Sequence, residues 1–238
     1  MIDVFCKRPS DGARCLSAAL RSRGADSRHV RRYDRLRNAD LTINWGTLVP
    51  NSSSWLNGNA PIGNKYVELR MMRLAGVPTP DHSLEPRGAG WLTRTFRHHA
   101  ANDLLNNNLV VGDYYTEFVP TVREFRVHII DGLSVRIGMK KHSPHTTIHH
   151  PFIRSSMGGW GIYYDSEAQA RVTKEVRNVA KEAIIALSYD FGAVDVAITE
   201  DNRPIVWEVN SAPGLEGKTV DVYADKFIAL AQKTGDST

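Results

Sequence analysis

Near the end of the chain, apolar and polar residues alternate in two runs on either side of a polar turn. The runs "AVDVAIT" and "PIVWEVN" flank "EDNR", which predicts a β-hairpin. Side chains alternate between the two faces of a strand, so Asp195 is predicted to lie on the opposite face from Val194. By the same rule Val206, Glu208 and Asn210 share one face of the return strand. The pattern thus predicts a half-buried hairpin that carries acidic and amide side chains on one face.

The pairing of the two strands decides whether these polar side chains meet. If Asp201 and Asn202 form a two-residue turn, Asp195 lies directly opposite Glu208. Like charges at opposite positions destabilise a sheet unless a cation lies between them. Two carboxylates and the amide oxygen of Asn210 are hard oxygen ligands of the kind that Mg²⁺ takes. We therefore predict a magnesium site on this hairpin, and the alternative is a solvent-facing strand side that is merely polar.

Elsewhere the pattern predicts short strands, helices and one long loop. A strand, a helix and two further strands open the chain, which suggests a small α/β lobe. β signals dominate residues 90–140, where Asp131-Gly132 between two alternating runs is a strong hairpin signal. An apolar stripe with spacings of three and four residues predicts one helix over 166–188. Further strands are expected at 2–6, 29–33, 41–46, 90–96, 108–120, 123–132 and 133–141, helices at 11–24, 64–76 and 220–233, and a loop over 49–63.

The composition is that of a globular protein. The chain has 238 residues, of which 42% are hydrophobic and 24% charged, so it can bury a core as one large domain or two small lobes. No apolar run approaches the length of a membrane span, and the first residues lack the apolar core of a signal peptide. Cys6 and Cys15 provide neither a disulfide framework nor metal-ligand spacing. We therefore expect a cytoplasmic protein without a membrane partner.

Positive charge is concentrated at the start of the chain. The net charge is +4, yet residues 1–37 alone contain nine Arg and one Lys against four Asp. Such a segment could attract nucleic acid, an acidic peptide or nucleotide phosphates, or it could be a solvated face. Only Phe5 and Tyr33 in this stretch could stack on bases, which disfavours nucleic acid as the partner without excluding it.

Four histidines lie within residues 142–150. His145 and His149 have the spacing of two zinc ligands on a helix, but Pro144 and Pro151 disfavour a regular helix and no Cys accompanies them. A polar loop over 142–160 that covers an active site is the preferred interpretation. The sequence has no G-x-S-x-G, P-loop or G-x-G-x-x-G motif, so the corresponding hydrolase and nucleotide templates do not apply.

The hairpin resembles the metal-binding end of the ATP-grasp ligases, the family of D-alanine–D-alanine ligase, glutathione synthetase and the glutamate ligases of ribosomal protein. The family motif is an Asp on one strand and Glu-x-Asn on the next, followed by Pro-Gly. Here these residues are Asp195, Glu208, Asn210, Pro213 and Gly214. The resemblance implies an α/β protein with the ATP-grasp fold, ATP as cofactor, and Mg²⁺ or Mn²⁺ bound by Asp195, Glu208 and Asn210.

The resemblance extends to residues 60–220 and implies further nucleotide contacts. "NKYVELRMMRLAGVPTP" is similar to the segment that supplies a first ATP-contacting lysine, which would be Lys65. "WLTRTF" resembles the strand of a second such lysine, with Arg94 in its place. "YYTEFVP" resembles the hinge whose backbone reads adenine, here Glu117, Phe118 and Val119.

Residues around the transferred phosphoryl group follow in the order that the family has. "REFRVHIIDG" resembles the strand after the hinge, which implies that Glu124 holds the ribose hydroxyls and that Arg126 points toward phosphate or acyl phosphate. "MKK" and "IRSSMGGW" resemble a basic strand end and an arginine-containing substrate loop. The resemblance therefore implies catalytic roles for Arg126, Lys140 and Arg154.

The chain departs from the family at its phosphate-covering loop. This loop is usually glycine-rich, but "RTFRHHAANDLL" contains no glycine, so His98, His99 or Asn102 would contact phosphates with side chains instead. Arg94 would hold phosphate bidentately where a lysine offers a point charge. The implied domains are a reduced pre-ATP-grasp lobe over 1–60 and an ATP-grasp domain over 61–238, divided into lobes 61–119 and 120–238.

The resemblance implies an ATP-dependent ligase that joins a carboxylate to an amine through an acyl phosphate. The substrates would be small molecules or peptides, and the basic start of the chain favours an acidic one. Two other functions stay open. A kinase of the same fold would phosphorylate a hydroxyl, and a binding module would retain a degenerate nucleotide site.

Overall fold

In the computed structural model of this chain, the strands form three separate sheets that follow one another along the sequence. The structure describes residues 1–36, 38–49, 52–61, 63–96, 104–105, 111–143, 154 and 159–235. The first sheet is parallel, and the second and third are antiparallel. This mixture of helices with parallel and antiparallel sheets is an α/β architecture, as the sequence predicts.

The first sheet lies within residues 1–60, the segment predicted as a lobe and called the N-terminal lobe below. Its strands are β1 (Ile2–Phe5), β2 (Ser27–Val30), β3 (Leu41–Asn44) and β4 (Trp55–Leu56), in the order β2-β1-β3-β4. Helix α1 (Asp11–Ser22) connects β1 to β2 and begins where the side chain of Ser10 accepts a hydrogen bond from the Ala13 N–H. Strand β4 lies within the predicted loop 49–63, because two residues are too few to leave an alternation in the sequence.

The second sheet is built from short antiparallel strands. These are β5 (His82–Ser83), β6 (Trp91–Arg94), β7 (Leu104–Leu105) and β8 (Tyr114–Glu117), in the order β5-β8-β6-β7. Helix α2 (Lys65–Leu74) precedes this sheet. Asn64 caps the helix by accepting hydrogen bonds from the N–H groups of Tyr66 and Val67, so Lys65 is the first helical residue.

The third sheet is the largest, with the order β11-β10-β9-β12-β13. Its strands are β9 (Thr121–Ile130), β10 (Leu133–His142), β11 (Trp160–Tyr163), β12 (Phe191–Thr199) and β13 (Pro204–Asn210). The predicted Asp131-Gly132 turn joins β9 to β10, and both residues have positive φ angles, of 51° and 66°, as a tight hairpin turn requires.

The helix predicted over 166–188 is wrong in one respect, since the structure has two helices there. These are α3 (Ser166–Arg171) and α4 (Lys174–Ala186). Val172 is extended, and the Thr173 side chain accepts a hydrogen bond from the Val176 N–H and so begins a new helix. Threonine hydroxyls can bond to backbone N–H groups and so begin a new helix within a periodic pattern. An apolar stripe in the sequence does not reveal such a break. The last helix, α5, spans Lys218–Gly235.

Two apolar clusters hold the sheets and helices together. One face of the third sheet packs with Val127, Val194 and Val196 against α4, where Val176 and Ala180 are buried. A second cluster joins the N-terminal lobe to α5 and includes Trp45, Phe191, Tyr223 and Phe227. The opposite face of the third sheet packs Phe191 into this second cluster near one end of β12 and carries Asp195 further along the same strand.

Domain boundaries and membrane spans are two further features for which the sequence makes predictions. The boundaries at residues 60 and 119 stay a prediction, although each of the three sheets lies within one of the predicted segments. Within the part of the chain that the structure describes, no helix is both long enough and apolar enough to cross a membrane.

Candidate active site

The hairpin of β12 and β13 brings Asp195 opposite Glu208, but by a different register from the one predicted. Next to the turn, Val196 pairs with Val206, one residue out of step with the predicted pairing. The turn has three residues, Glu200 to Asn202, and Asn202 adopts a positive φ of 61°.

A bulge at Trp207 then restores the pairing of Asp195 with Glu208. The same bulge turns Val206 into the core, so the prediction that Val206 shares a face with Glu208 and Asn210 is wrong.

Asp195, Glu208 and Asn210 lie on the polar face of the third sheet, within reach of the neighbouring strand. The amide nitrogen of Asn210 donates to Glu208 Oε1 over 2.8 Å, which leaves the amide oxygen of Asn210 available as an acceptor. Arg126 on β9 pairs with Asp195 in register and donates two hydrogen bonds of 2.7 Å to its two carboxylate oxygens. The three oxygen-bearing residues and one arginine thus form a single group.

Glu208 is held ionised by the cations that surround it. Burial on its own would raise the pKa of Glu208, but Lys65, the hydrogen bond from Asn210, Arg126 and Arg94 outweigh burial and lower the pKa well below its usual range. The carboxylate therefore carries its charge at every physiological pH. A carboxylate in this state is suited to hold a cation.

Lys65 at the start of α2 reaches across to β13. Its Nζ donates to the carbonyl oxygen of Val209 over 2.6 Å and to Glu68 Oε2 over 3.1 Å. Although burial opposes the charge, Glu208 and Glu68 raise the pKa of Lys65. The structure therefore brings Lys65 next to the hairpin, and its contact with ATP stays a prediction.

Two residues that hold Lys65 were not foreseen from the sequence. Glu68 is buried, and its Oε1 accepts a hydrogen bond of 3.0 Å from the hydroxyl of Tyr189. Burial raises the pKa of Glu68, while Lys65 and the Tyr189 hydroxyl oppose that rise. The spacing of three residues between Lys65 and Glu68 on one helix is the signal that could have indicated the pair. The contact with Tyr189 has no local signal in the sequence.

Lys65 and Glu208 line a cleft between the second and third sheets. Arg94 on β6 faces the cleft, and its Nε donates to Thr116 Oγ1 of β8 over 3.1 Å. The cleft is lined by residues of α2, of the second sheet and of β13, namely Lys65, Leu69, Pro80, Arg94, Tyr114, Thr116, Trp207 and Glu208. Arg94 from one sheet and Glu208 from the other therefore meet in one space.

The predicted hinge lies where the chain passes from the second sheet to the third. Glu117 ends β8, and Phe118 and Val119 lie in the short connection to β9. The N–H of Glu117 donates to the Asp81 carbonyl and the N–H of Phe118 to the Gly90 carbonyl, each over 2.8 Å. These bonds fix the backbone of the connection at the edge of the cleft.

Glu124, Lys140 and Arg154 form a second charged group on the same sheet. Lys140 Nζ donates to Glu124 Oε2 over 2.9 Å, and Arg154 Nη1 lies 3.4 Å from Glu124 Oε1. Arg154 also donates to the Thr121 carbonyl over 2.6 Å and lies over the ring of Trp160. The structure thus brings two of the three predicted catalytic cations, Lys140 and Arg154, together on the carboxylate that the resemblance assigns to the ribose.

A buried histidine lies beside Arg126 and was also missed. His128 on β9 lies between two tyrosine hydroxyls, with Nδ1 2.9 Å from Tyr223 and Nε2 2.8 Å from Tyr164. Burial, with Arg126 and Arg136 nearby, lowers the pKa of His128 to about 3. The imidazole is therefore neutral at physiological pH. A single His in an alternating strand gives no indication of such partners.

The donors fit a hard divalent cation. Asp195 and Glu208 contribute carboxylate oxygens and Asn210 an amide oxygen, which is the ligand chemistry of Mg²⁺ and Mn²⁺. In the described ranges no group of three or more His, Cys, Asp or Glu side chains forms a metal site, so a site at this place needs the amide. Arg126 already neutralises Asp195, and a metal ion would share that carboxylate with it.

Several sequence-based expectations fall on residues that the structure does not describe. His98, His99 and Asn102 of the phosphate-side loop lie outside the described residues, and so do His145 and His149. Most of the predicted loop 142–160 lies outside them as well. At its start, the His142 ring meets the Trp160 ring edge to face, with centroids 5.4 Å apart.

Four described arginines of the N-terminal lobe, Arg14, Arg23, Arg28 and Arg32, form ion pairs. Arg28 holds the buried Asp3, and Arg32 pairs with Asp34. Arg23 bridges to Asp221 and Asp225 of α5. Much of the positive charge counted in this segment is thus neutralised locally, while Arg31 is exposed.

The comparisons with known proteins include one curated relative. No protein-family model matches the chain. Over 213 residues the chain is 27% identical to the probable alpha-L-glutamate ligase of Maridesulfovibrio salexigens, an alignment that covers 86% of this chain and 64% of that protein. The chain therefore spans just under two thirds of the length of this relative.

Solved structures of similar architecture cover nearly the whole chain. ATP-grasp ligase PsnB, solved with a minimal precursor, Mg and ADP, matches with a TM-score of 0.67 at 13% identity over 97% of both chains. D-alanine–D-alanine ligase from Bacillus anthracis matches with a TM-score of 0.66 at 12% identity over 98% of both chains. Macrocyclase MdnC from Microcystis aeruginosa, bound to precursor peptide MdnA, matches with a TM-score of 0.59 at 12% identity over 96% of this chain and 100% of that one. At such low identity the likeness concerns the fold.

Proposed function

Because this chain has the ATP-grasp fold, as its sequence predicts, we propose that it is an ATP-dependent carbon–nitrogen ligase. The reaction joins a carboxylate to an amine through an acyl phosphate and releases ADP and phosphate. The curated relative, a probable alpha-L-glutamate ligase, supports this class of reaction.

One observation carries the proposal. Asp195, Glu208 and Asn210 carry two carboxylates and an amide oxygen on paired strands, and Glu208 lines a cleft in which Lys65 and Arg94 also lie. Oxygen ligands beside cations suit a nucleotide, whose phosphates take both a divalent metal and basic side chains. Neither a bare polar strand nor a basic patch would need this combination.

Each group has a proposed role in nucleotide binding. Bound at Asp195, Glu208 and Asn210, Mg²⁺ or Mn²⁺ would neutralise charge on the phosphates. Lys65 and Arg94 hold phosphate oxygens from the other side of the cleft. The backbone of Glu117, Phe118 and Val119 contacts adenine, and Glu124 accepts from the ribose hydroxyls. PsnB was solved with Mg and ADP, which supports nucleotide and metal use here.

The proposed chemistry has two steps. An oxygen of the substrate carboxylate attacks the γ-phosphorus of ATP, and ADP leaves. The amine then attacks the carbonyl carbon of the acyl phosphate, and phosphate leaves with the former carboxylate oxygen while the amine loses a proton. Arg126, Lys140 and Arg154 stabilise the charge that spreads over the transferred phosphoryl group, because positioning and charge neutralisation supply most of the catalysis in such transfers.

We propose an amino acid or a peptide as substrate, with an acidic one preferred. The named relatives act on glutamate or D-alanine or bind precursor peptides, which supports substrates with both a carboxylate and an amine. The preference for acidity rests on the N-terminal lobe, where Arg31 is exposed and the neighbouring Arg32 is paired with Asp34.

The experiment that tests the function is release of ADP with hydroxylamine as trap. The protein is incubated with ATP, Mg²⁺ and mixtures of amino acids and peptides, and ADP and hydroxamate are both measured. We expect ADP and hydroxamate in equal amounts with the true carboxylate. ADP with a phosphorylated hydroxyl and no hydroxamate would mean a kinase, and no ADP with any mixture would mean a binding module.

A further inference from the structure

A second groove lies on the surface formed by α4, α5 and the β9–β10 turn. Its volume is about 530 Å³, which exceeds the space that a single bound ion needs and is within the range of sites for larger ligands. The residues that line it are mostly basic or apolar, namely Leu133, Ser134, Val135, Lys174, Arg177, Asn178, Lys181, Val222 and Lys226.

Four cations converge on this groove from two helices. Lys174, Arg177 and Lys181 recur on α4 at spacings of three and four residues, so they line one face over about 10 Å. Lys226 of α5 faces them across the groove. In the part of the chain that the structure describes, none of the four forms an ion pair, and Arg177 only donates a long hydrogen bond of 3.4 Å to Ser134 Oγ.

The acidic residues around the groove do not cancel this charge. Glu175 and Glu182 on α4 are exposed and lie at helical positions next to the cations rather than among the groove residues. Asp131 in the β9–β10 turn lies 3.8 Å from Lys233 of α5. Arg23 and Lys141 elsewhere on the surface are paired, whereas the four groove cations line one surface and form no ion pair within the described residues.

We propose that this groove binds an acidic peptide segment of a protein partner. Cations spread over about 10 Å match several carboxylates along a peptide better than one phosphate. The floor offers Leu133, Val135 and Val222, which suit an apolar side chain between the acidic ones. No aromatic residue lines the groove, although single-stranded nucleic acid needs stacking surfaces, so peptide is the occupant that the lining favours.

The groove is separate from the cleft of the proposed ligase. Leu133 begins β10, and Lys140 lies seven residues further along the same strand, about 23 Å away. A peptide in the groove would thus not occupy the nucleotide site. The inference therefore stands or falls by itself, whatever reaction the cleft performs.

The test measures binding of a labelled acidic peptide to the whole chain. The probe is a fluorescein-labelled dodecapeptide rich in Glu with two Leu, and the same peptide with Gln in place of Glu is the control ligand. Fluorescence anisotropy is measured at rising salt concentration. The test variant combines Lys174→Glu, Lys181→Glu and Lys226→Glu. The matched variant combines Arg70→Glu, Arg73→Glu and Arg171→Glu, three exposed cations outside the groove.

We expect saturable binding of the Glu peptide, with an affinity that weakens as the salt concentration rises. The affinity should fall about tenfold or more in the groove variant and change little in the matched variant. ATP binding, measured in parallel, stays unchanged in both variants and shows that they are folded. Equal loss in the two variants, or no binding of the Glu peptide by the wild-type chain, would overturn the proposal. Tighter binding of an oligothymidylate than of the peptide at the groove would also overturn it.

Discussion

Among single residues, Glu208 is a carboxylate at which three cations are directed. Lys65, Arg94 and Arg126 all lower its pKa, although they come from three different elements of the fold. Burying these charged groups costs desolvation free energy. A buried charged group with several partners of opposite charge is typical of a functional site. The residue-scale predictions therefore begin with this carboxylate and with the side chains that hold Lys65.

We predict that Glu208→Gln abolishes turnover without unfolding the chain. The change removes one charge from the proposed metal ligands, and the loss of transition-state stabilisation should reduce kcat by about 100-fold or more. ADP release is measured together with the thermal midpoint of unfolding. Glu200→Gln, in the exposed turn of the same hairpin, is the matched control and should keep full activity. Normal ADP release from a stable Glu208→Gln protein would contradict the metal assignment.

We predict that Glu68→Gln and Tyr189→Phe weaken ATP binding. Glu68 holds Lys65 next to the Val209 carbonyl, and Tyr189 holds Glu68, so both act on the nucleotide by positioning one lysine. KM for ATP should rise several-fold in Glu68→Gln and less in Tyr189→Phe, with a smaller effect on kcat. Calorimetric titration with ADP separates binding from turnover. Unchanged affinity in both variants, with Lys65→Ala inactive, would show that Lys65 needs no such support.

The sequence reveals some of these residues and not others. Asp195, Glu208 and Asn210 could be found because an alternating strand makes each polar position conspicuous and because their order resembles a known motif. Glu68 has only its spacing from Lys65 as a signal. Tyr189 is separated from Glu68 by more than a hundred residues, and such a contact arises from the packing of α4 rather than from any local pattern.

Among the elements, the β12–β13 hairpin shows how a correct pairing can follow from a wrong turn. The sequence predicts a turn of two residues, whereas the turn in the structure has three residues and a bulge follows at Trp207. The two differences cancel at Asp195 and Glu208. Neither the longer turn nor the bulge can be predicted from the alternation of polar and apolar residues alone. A bulge adds only one residue to one strand and leaves the number of apolar residues unchanged.

The split between α3 and α4 has a similar cause. The apolar positions continue through Val172, so the period of the pattern does not change at the break. Thr173 ends the continuity because its hydroxyl caps the next helix. Strands and helices can thus be located where a periodic pattern extends over many residues. Their boundaries depend on single hydrogen bonds, which the pattern does not show.

The buried His128 in β9 leads to a prediction about pH and stability. Its pKa is about 3 in the folded chain, below the ordinary value of about 6.5 that it has when unfolded. Below about pH 6.5 the unfolded chain binds a proton at this histidine that the folded chain does not bind. The contribution of His128 to the free energy of unfolding is therefore complete above about pH 6.5 and decreases as the pH falls below it. From pH 7.5 to pH 5.0 the loss from this residue is about 2 kcal/mol.

Urea unfolding of the wild type and of His128→Gln at these two pH values measures this loss. The variant should lose less stability on acidification, because glutamine does not titrate and can still bond to Tyr164 and Tyr223. Identical dependence in the two proteins would mean that His128 is not buried as neutral imidazole.

For the whole molecule, the arrangement of charge predicts how substrate is selected. Arg32 is paired with Asp34, whereas Arg31 forms no ion pair within the described part of the chain, so we expect Arg31 to attract an acidic substrate. We predict that Arg31→Glu lowers kcat/KM for an acidic substrate several-fold, that the effect shrinks as salt rises, and that ATP binding does not change. Arg171→Glu on α3 is the control. Equal rates for all three proteins at every salt concentration would mean that Arg31 only solvates the surface.

The central claim is that the carboxylate substrate is activated by phosphoryl transfer, and an isotope experiment tests it most directly. Once a carboxylate substrate is known, it is prepared with oxygen-18 in its carboxyl group and turned over with ATP, Mg²⁺ and the amine. The released phosphate is then analysed by mass spectrometry. An acyl phosphate requires that one carboxyl oxygen leaves with the phosphate, so we predict one oxygen-18 atom in each phosphate released. Phosphate that contains no oxygen-18, with amide formed or ADP released at the normal rate, would contradict the account.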